Sequence, residues 1–482
     1  MTHIFRASFI LEGRARLRPS RGRARVCPSR SWRVVLGSDG ASPYPEPRPT
    51  QRGPTQRVPT SNARSGCSAE ATLKDRGGGR RRQLWPVCHA VLLLLSTVLP
   101  ALAQGADTRS NQFAGPLPRL DDGAQVSLIT YTPGEELYQA FGHSAIRVKD
   151  DLLSIDRLYN FGVFDFETPD FYLKFVHGDL FYQLAVSPGG EEISIVGAYG
   201  QGVTELLLNL SQDQKQKLFE ALEINLLPEN RFYRYDFILD NCSTRPRDVL
   251  ERITGSPIIE REAGNQTFRQ MLDPYFIRIP WIGFGISLLL GAKVDRLASP
   301  REACFLPADL ERAVQTSKNG DHSLTEEKRE LFPPEALPDL WPFLAPIWIF
   351  YSGGVLWFLF WLLRRKGHCT WPTALSLTIF GLTGTFLLVV SLWTRLWVLH
   401  ENCNLFWLIP FHLPAGIWLF FARSRPFLLL WYLRFAFVAA SAFLCFSFLL
   451  PQRFNPAIYP LLLIIAWRCA LELVPGRSSL RT

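Results

Sequence analysis

The sequence predicts an exported α+β domain followed by an all-α transmembrane bundle of about five helices. Two observations support this fold class. The last third of the 482 residues is far more apolar than the rest, and it divides into runs of the length that a bilayer-crossing helix needs. Between about residues 125 and 310, short β-branched and aromatic segments alternate with helix-like segments, a pattern typical of an α+β domain.

The N-terminal region indicates export. Residues 1–83 are rich in Arg, Pro, Ser and Gly and hold much of the net charge of +9, a composition typical of a disordered segment. Three arginines precede residues 84–103, which consist of an apolar core and then small residues just before Gln104. This is the order of a signal peptide. The favoured interpretation is that translation starts downstream of Met1, and a real leader is the alternative. Basicity confined to this region predicts no nucleic-acid partner.

We place the exported domain at residues 104–310. Five strands are expected in it, at 124–131, 145–149, 157–164, 182–186 and 204–210. Ser211 and Gln214 form a capping box that starts a helix. A second helix follows Cys242, since Pro246 is tolerated only near a first turn. The apolar segment 277–297 is interrupted by Pro and Gly, which fits a membrane-apposed segment and a buried core helix equally well.

The C-terminal part is predicted to be an integral membrane domain. A charged, Pro-containing linker at 311–343 leads into residues 344–473. Basic residues flank the apolar runs on one side of the membrane, and by the positive-inside rule that side is cytoplasmic. The tail 474–482 is then cytoplasmic, and the exported domain lies on the opposite side of the membrane. The spans are expected at 344–363, 373–398, 405–421, 427–449 and 457–473.

The cysteines favour a free thiol over a metal site. Nine Cys are scattered without a CxxC pair or a zinc-like Cys/His spacing, so neither a metal nor another cofactor is predicted. Cys242 and Cys304 are the two in the exported domain, and the sequence leaves open whether they pair.

Cys242 is the candidate nucleophile. It comes immediately before a predicted helix, whose free N–H groups, together with Arg245 and Arg247, would lower the pKa of the thiol and favour a thiolate. A buried structural cysteine is the alternative.

His143 is the candidate base, because it follows Gly142 at the start of a strand, where an imidazole can face a thiol. Asn160, on the next strand, is the candidate that orients the ring. His177 is a competing base that the sequence does not rank below His143. His400 and Asn404 belong to a polar loop at the membrane edge, for which ordinary loop polarity is the alternative.

Several motifs carry a resemblance to a known family. The first three are GHSA from Gly142, YNFGVFDFETPDFYLKFVHGDL from Tyr159 and YDFILDNCSTRPRD from Tyr235. They are followed by GISLLLGAKVDRLAS from Gly285 and FLPADL from Phe305. This order resembles the N-terminal periplasmic domain of the Lnb-type lipoprotein N-acyltransferases of bacteria over about residues 125–310. The multispan part with its H-x-N-x-N loop resembles the same family. The resemblance implies a permuted papain-like or NlpC-like thiol fold in the periplasm, anchored in the bacterial inner membrane.

The resemblance also implies residue roles. Cys242 would take an acyl chain from a membrane phospholipid as a thioester, with His143 as general base, and the acceptor would be the α-amino group of a lipoprotein's N-terminal cysteine. The candidates for substrate binding in family-like stretches are Tyr131, Asn241, Arg245, His400 and Asn404. The segment from Ile277 to Leu290 and the outer ends of the spans are expected to line an acyl groove beside the thiol.

Two other functions remain open from the sequence. A membrane-anchored cysteine peptidase or amidase of the cell envelope would use the same thiol site in an open polar cleft. A non-enzymatic envelope sensor or binding module would keep its function without the Cys242 thiol.

Overall fold

The computed structural model describes residues 116–260, 265–335, 342–363, 369–422 and 426–473, which all fall in one compact unit. The predicted leader, signal peptide and cytoplasmic tail lie outside the described residues. So do most of the basic residues that the predicted orientation depends on.

A seven-stranded antiparallel sheet forms the centre of the exported domain, with the strand order β6-β4-β3-β2-β1-β5-β9. The five predicted strands are confirmed, with ends shifted by at most two residues. The strands of this sheet are β1 Gln125–Tyr131, β2 His143–Asp150, β3 Ile155–Val163, β4 Phe181–Pro188, β5 Val203–Leu208, β6 Phe232–Arg234 and β9 Thr325–Phe332.

Helices cover both faces of the sheet. The helices of this domain are α1 Phe171–His177, α2 Gly189–Ala198, α3 Gln212–Leu226, α4 Thr244–Thr254, α5 Phe268–Phe276, α6 Pro280–Leu289 and α7 Pro307–Thr316. Leu218 of α3 and Leu250 of α4 are buried in the core on one face, and Ile193 of α2 is buried in the smaller core on the other. The capping box at Ser211 is confirmed, as is the helix after Cys242.

The prediction of a plain linker at 311–343 is wrong for most of that range. Helix α7 continues to Thr316, the hairpin of β7 Lys318–Asn319 and β8 His322–Ser323 follows, and β9 pairs with β5 as the last strand of the sheet. The sequence of β9, TEEKRELF, is charged because it lies at a sheet edge, where charge discourages pairing with another chain.

Where five spans were expected, the described residues of the membrane part form five α-helices. They are α8 Pro346–Leu363, α9 Trp371–Trp393, α10 His412–Phe421, α11 Phe427–Phe446 and α12 Ile458–Leu473. Within the described residues, three helices are long and apolar enough to cross a membrane, and they start at Pro346, Trp371 and Phe427.

The expectation of one continuous span at 405–421 is wrong. Helix α10 starts only at His412 and has 10 residues, so it rises about 15 Å, half of a hydrocarbon core. The preceding residues form a short 3-10 helix, Cys403–Phe406, whose polar neighbours bind the exported domain.

Helix α6 resolves the ambiguity of the segment 277–297. Its residues Phe284 and Leu288 pack against the core of the membrane helices, and the ring of Phe284 lies 5.3 Å from that of Phe350 in α8. Trp281 Nε1 donates a hydrogen bond of 2.9 Å to the carbonyl of Leu344. This segment is therefore apposed to the membrane domain.

The loop between α9 and α10 binds the exported domain to the membrane helices. The N–H of Gly291 donates to the carbonyl of Val398 at 2.8 Å, and Trp397 Nε1 donates to Asp236 Oδ2 at 2.9 Å. A Cβ on Gly291 would lie 1.7 Å from the carbonyl oxygen of His400. Only glycine allows this approach of the two backbones.

Candidate active site

Asn241 shapes the turn that presents Cys242 at the start of α4. Its Oδ1 accepts from the N–H groups of Ser243 and Thr244 at 2.8 and 2.9 Å, as a capping side chain does. Its Nδ2 donates to the carbonyls of Phe237 and Phe305 at 2.8 and 2.9 Å. The side chain proposed to bind substrate is thus engaged by the protein at both ends and supports the loop.

Cys242 is a half-buried residue, and its thiol is free. Burial raises the pKa of the thiol, while hydrogen bonds from the Ser144 N–H and from the side chains of Ser243 and Tyr235 act in the opposite direction. The prediction of a resting thiolate is therefore wrong. A helix terminus contributes only about 0.3–1 kcal/mol, which is less than the cost of burying the charge.

His143 stands at the first position of β2, directly after Gly142. Gly142 has φ +79°, and a Cβ there would lie 2.4 Å from the carbonyl oxygen of Tyr131, so glycine is required for the turn into the strand. His143 Nε2 lies 3.0 Å from Asn160 Oδ1. The structure thus brings together the two residues that the sequence paired.

Glu192 of α2 supports Asn160 from behind and was missed by the sequence reasoning. Its carboxylate accepts from Asn160 Nδ2 at 2.9 Å, from the Tyr131 hydroxyl at 3.2 Å and from the Ser187 hydroxyl. Burial raises the pKa of Glu192 above its ordinary value. A signal was available, because Glu192 shares the buried face of its helix with Val196.

These contacts fix the tautomer of His143. The Asn160 amide nitrogen faces the Glu192 carboxylate, so its oxygen faces the imidazole, and Nε2 must carry the proton that it donates. Nδ1 is left as the basic nitrogen. Burial lowers the pKa of His143 to about 4, so the imidazole is neutral at physiological pH. The ring of Tyr131 stacks on it at a centroid distance of 5.9 Å.

Cys242 and His143 are held at the start of β2 by elements on different faces of the sheet. His143 and Asn160 face α2, whereas α4 packs on the other side of the sheet. Ser144 joins the two, since its N–H binds the sulfur and its hydroxyl lies 3.3 Å from that of Ser243. Among the described residues, no hydrogen bond links the imidazole to the sulfur. Catalytic hydrogen bonds are often long without substrate.

Arg245 and His177 serve other contacts. Arg245 binds Asp240 through two nitrogens, at 2.6 and 2.8 Å, and its guanidinium lies 3.4 Å from the centroid of the Tyr233 ring. His177 Nδ1 lies 2.6 Å from Asp179 Oδ2, and its ring is 4.5 Å from that of Trp393. His177 is therefore engaged at the outer end of α9, which favours His143 as the base.

The polar loop at 400–404 binds α6. His400 Nε2 lies 3.0 Å from the carbonyl oxygen of Thr394, and Asn404 Nδ2 donates to the carbonyl of Leu288 at 3.2 Å. Asn402 donates to the same carbonyl at 2.7 Å. Asn404 therefore helps to hold the exported domain against the membrane helices, whereas the His400 side chain binds a carbonyl of its own loop. Both were proposed to bind substrate, and neither forms a hydrogen bond with Cys242 among the described residues.

A cavity of about 290 Å³ lies where the acyl groove was expected, between α5, α6 and the start of α8. Its walls are largely apolar, and Arg453 and Asp273 form an ion pair of 3.3 Å among the lining residues. Neither Cys242 nor His143 lines it. The expectation that this groove lies beside the thiol is wrong, because α6 packs on the membrane helices.

The comparisons with known proteins identify the family. Residues 120–273 match the family model of the Lnb N-terminal periplasmic domain, and residues 340–477 match that of the Lnb transmembrane domain. No similar chain was found among curated proteins or among solved structures. The two matches follow each other in the expected order and together span more than half of the chain. The chain therefore belongs to the Lnb family, as a membrane protein with a periplasmic domain followed by a transmembrane domain.

Proposed function

We propose that the protein is a membrane-bound acyltransferase. It moves an acyl chain from a phospholipid, through a thioester on Cys242, to the N-terminal amine of a lipoprotein at the periplasmic face of the bacterial inner membrane. The observation that carries this proposal is the arrangement of His143, Asn160 and Glu192, which leaves Nδ1 as the basic ring nitrogen of His143. The next residue of β2, Ser144, binds the Cys242 sulfur through its N–H.

In the first half-reaction the Cys242 sulfur attacks the ester carbonyl carbon of the phospholipid. The thiol proton passes to His143 Nδ1 as the carbon–sulfur bond forms. The tetrahedral intermediate then breaks its bond to the glycerol oxygen. That oxygen takes the proton from Nδ1 and leaves as a lysophospholipid, so the thioester and a neutral imidazole remain.

In the second half-reaction the lipoprotein amine attacks the thioester carbonyl. Nδ1 of His143 takes a proton from the nitrogen and returns it to the sulfur as the carbon–sulfur bond breaks. An amide and the Cys242 thiol result. No external oxidant or cofactor is required to balance either step.

The groups around the sulfur can stabilise the charge that develops. The Ser144 N–H and the Tyr235 hydroxyl bind the sulfur in the resting state, and the oxyanion forms two bonds away from that atom. Donors that are already ordered there can bind the oxyanion without reorganisation.

Attachment to the membrane favours a lipid substrate. Each methylene buried in the bilayer stabilises the donor by about 0.8 kcal/mol, so a soluble enzyme would seldom meet it. Here the domain that carries Cys242 is bound to the membrane helices through Trp397 and Gly291, which keeps the thiol close to the donor.

Mass spectrometry of lipoprotein N-termini tests the proposal. A strain without other N-acylating enzymes should show an added acyl mass when it expresses the wild-type chain, and none with Cys242→Ser or His143→Gln. An unchanged mass with the wild-type chain would contradict acyl transfer. Cleavage of cell-wall peptides under the same conditions would indicate a peptidase or amidase, and full cellular function of Cys242→Ser would indicate a binding module.

A further inference from the structure

A row of aromatic rings begins at the candidate nucleophile. The Tyr235 side chain hydrogen-bonds the Cys242 sulfur. Its ring lies 5.4 Å from that of Phe237, and the Phe237 ring lies 5.4 Å from that of Phe175 in α1. We call the side chains of Tyr235, Phe237, Phe175 and the neighbouring Leu239 the aromatic track.

The outer part of this track is open at the surface. Phe237 is 38% exposed, Leu239 44% and Phe175 37%. Next to Phe175, α1 presents Tyr172 and Leu173 with still greater exposure. Single exposed apolar residues are ordinary, but a contiguous run of them marks an interaction surface.

The track continues to the membrane domain. Helix α1 ends at His177, whose ring packs against Trp393, the last residue of α9. The carbonyl of Val176 accepts a hydrogen bond of 2.7 Å from Thr394 Oγ1. Because α9 is a candidate membrane span, the far end of the track lies where that span leaves the bilayer.

We propose that the aromatic track binds the acyl chain of the donor lipid between the bilayer and Cys242. This inference rests on the proposed acyl transfer. With the ester carbonyl at the sulfur, the tail runs along Phe237 and Phe175 and returns to the bilayer beside Trp393. Each methylene drawn from the bilayer into water opposes transfer in proportion to the exposed apolar area, and the rings replace the bilayer as the apolar partner.

Chain length distinguishes this role from simple contact of the surface with the bilayer. A short acyl group ends near Tyr235 and gains nothing from the outer rings, whereas a long one covers them. Removing an outer ring should therefore impair long-chain donors selectively. A surface that only rests on the bilayer would affect vesicle donors of any chain length alike.

The first test uses the full-length protein in detergent with Phe237→Ala and Phe175→Ala. The thioester mass on Cys242 is followed with a palmitoyl phosphatidylethanolamine donor and with a water-soluble butanoyl thioester. We expect palmitoyl transfer to fall about tenfold, with butanoyl transfer unchanged. The matched control is Tyr199→Ala, an exposed aromatic residue at the end of α2. Equal losses with both donors, or no loss with palmitoyl, would overturn the proposal.

A second test does not depend on transfer. Cys242→Ser protein is incubated with vesicles of phosphatidylethanolamine that carries a photoreactive group on the palmitoyl chain, and the cross-linked peptides are identified. Cross-links at 171–177 and 235–239 support the track even if the transfer reaction itself proves wrong. Cross-links confined to the membrane helices would overturn it.

Discussion

At the scale of single residues, the orientation of His143 depends on Asn160. Substituting Asn160→Ala removes the acceptor of the Nε2 proton, so the ring can rotate or change tautomer. We expect the rate of Cys242 acylation to fall about 10- to 100-fold, the range seen when a partner that orients a metal-bound imidazole is lost. The measurement is intact-protein mass after incubation with a butanoyl thioester. Tyr199→Ala should keep the wild-type rate, and an unaffected Asn160→Ala variant would contradict the role.

The protonation of Cys242 gives a second prediction at this scale. Since burial raises the pKa of this thiol, iodoacetamide should alkylate it at pH 7 more slowly than it alkylates a peptide thiol. The rate should rise only above the pH at which an ordinary cysteine ionises. Site-resolved mass spectrometry measures it. Rapid alkylation at pH 6 would instead show a thiolate and imidazolium pair.

Residue-level reasoning from the sequence identified the polar pair but not its surroundings. His143 and Asn160 could be paired because adjacent strands place nearby positions side by side, and β2 and β3 are such neighbours. Glu192 reaches the site only because α2 folds back over the sheet, which no local pattern predicts. The state of Cys242 was also missed, since the burial that decides it is a tertiary property.

At the scale of elements, the contact between Gly291 and the loop after α9 can be tested. In Gly291→Ala the added methyl group would meet the His400 carbonyl at 1.7 Å, so one of the two backbones must move. We expect a loss of about 2–4 kcal/mol in the free energy of unfolding, seen as a lower thermal midpoint in detergent.

Gly285→Ala is the matched control for that substitution. It lies inside α6, and no atom lies within 4 Å of its added Cβ. Alanine favours a helix interior over glycine by about 1 kcal/mol, so this variant should be unchanged or slightly more stable. Equal midpoints for the two variants would show that the loop does not hold α6.

The elements that the sequence missed share one cause. Strand β9 has the composition of a loop because one edge of it is solvated, and the helix expected from residue 405 is delayed because Asn402 and Asn404 turn toward the carbonyls of α6. In both cases the local structure depends on a partner far away in the chain. For β9 the partner is strand β5, and for the residues before α10 it is helix α6. Strands β1 to β5 could be predicted because the apolar and β-branched residues in their own sequences match the burial of these strands in the sheet.

At the scale of the whole molecule, the periplasmic domain is not expected to be independent. Helix α6 presents Phe284, Leu288 and Leu289 to the membrane helices, and the turn before Cys242 is held by Trp397 through Asp236. Residues 104–335 produced alone should therefore aggregate or lose activity. Size-exclusion chromatography and thioester formation with a butanoyl donor measure this, and a monodisperse, fully active fragment would contradict it.

The locked amide of Asn160 has a consequence for the order of events. In the proposed acyl transfer, a ring that can exchange its proton only at Nδ1 must use that nitrogen for the thiol, then for the leaving lysolipid and then for the incoming amine. Two partners cannot occupy that position together, so the lysolipid has to vacate it before an amine enters. If the proposed transfer is right, the acylated protein is therefore a free intermediate between release of the first product and binding of the second substrate, because the Asn160 amide cannot flip.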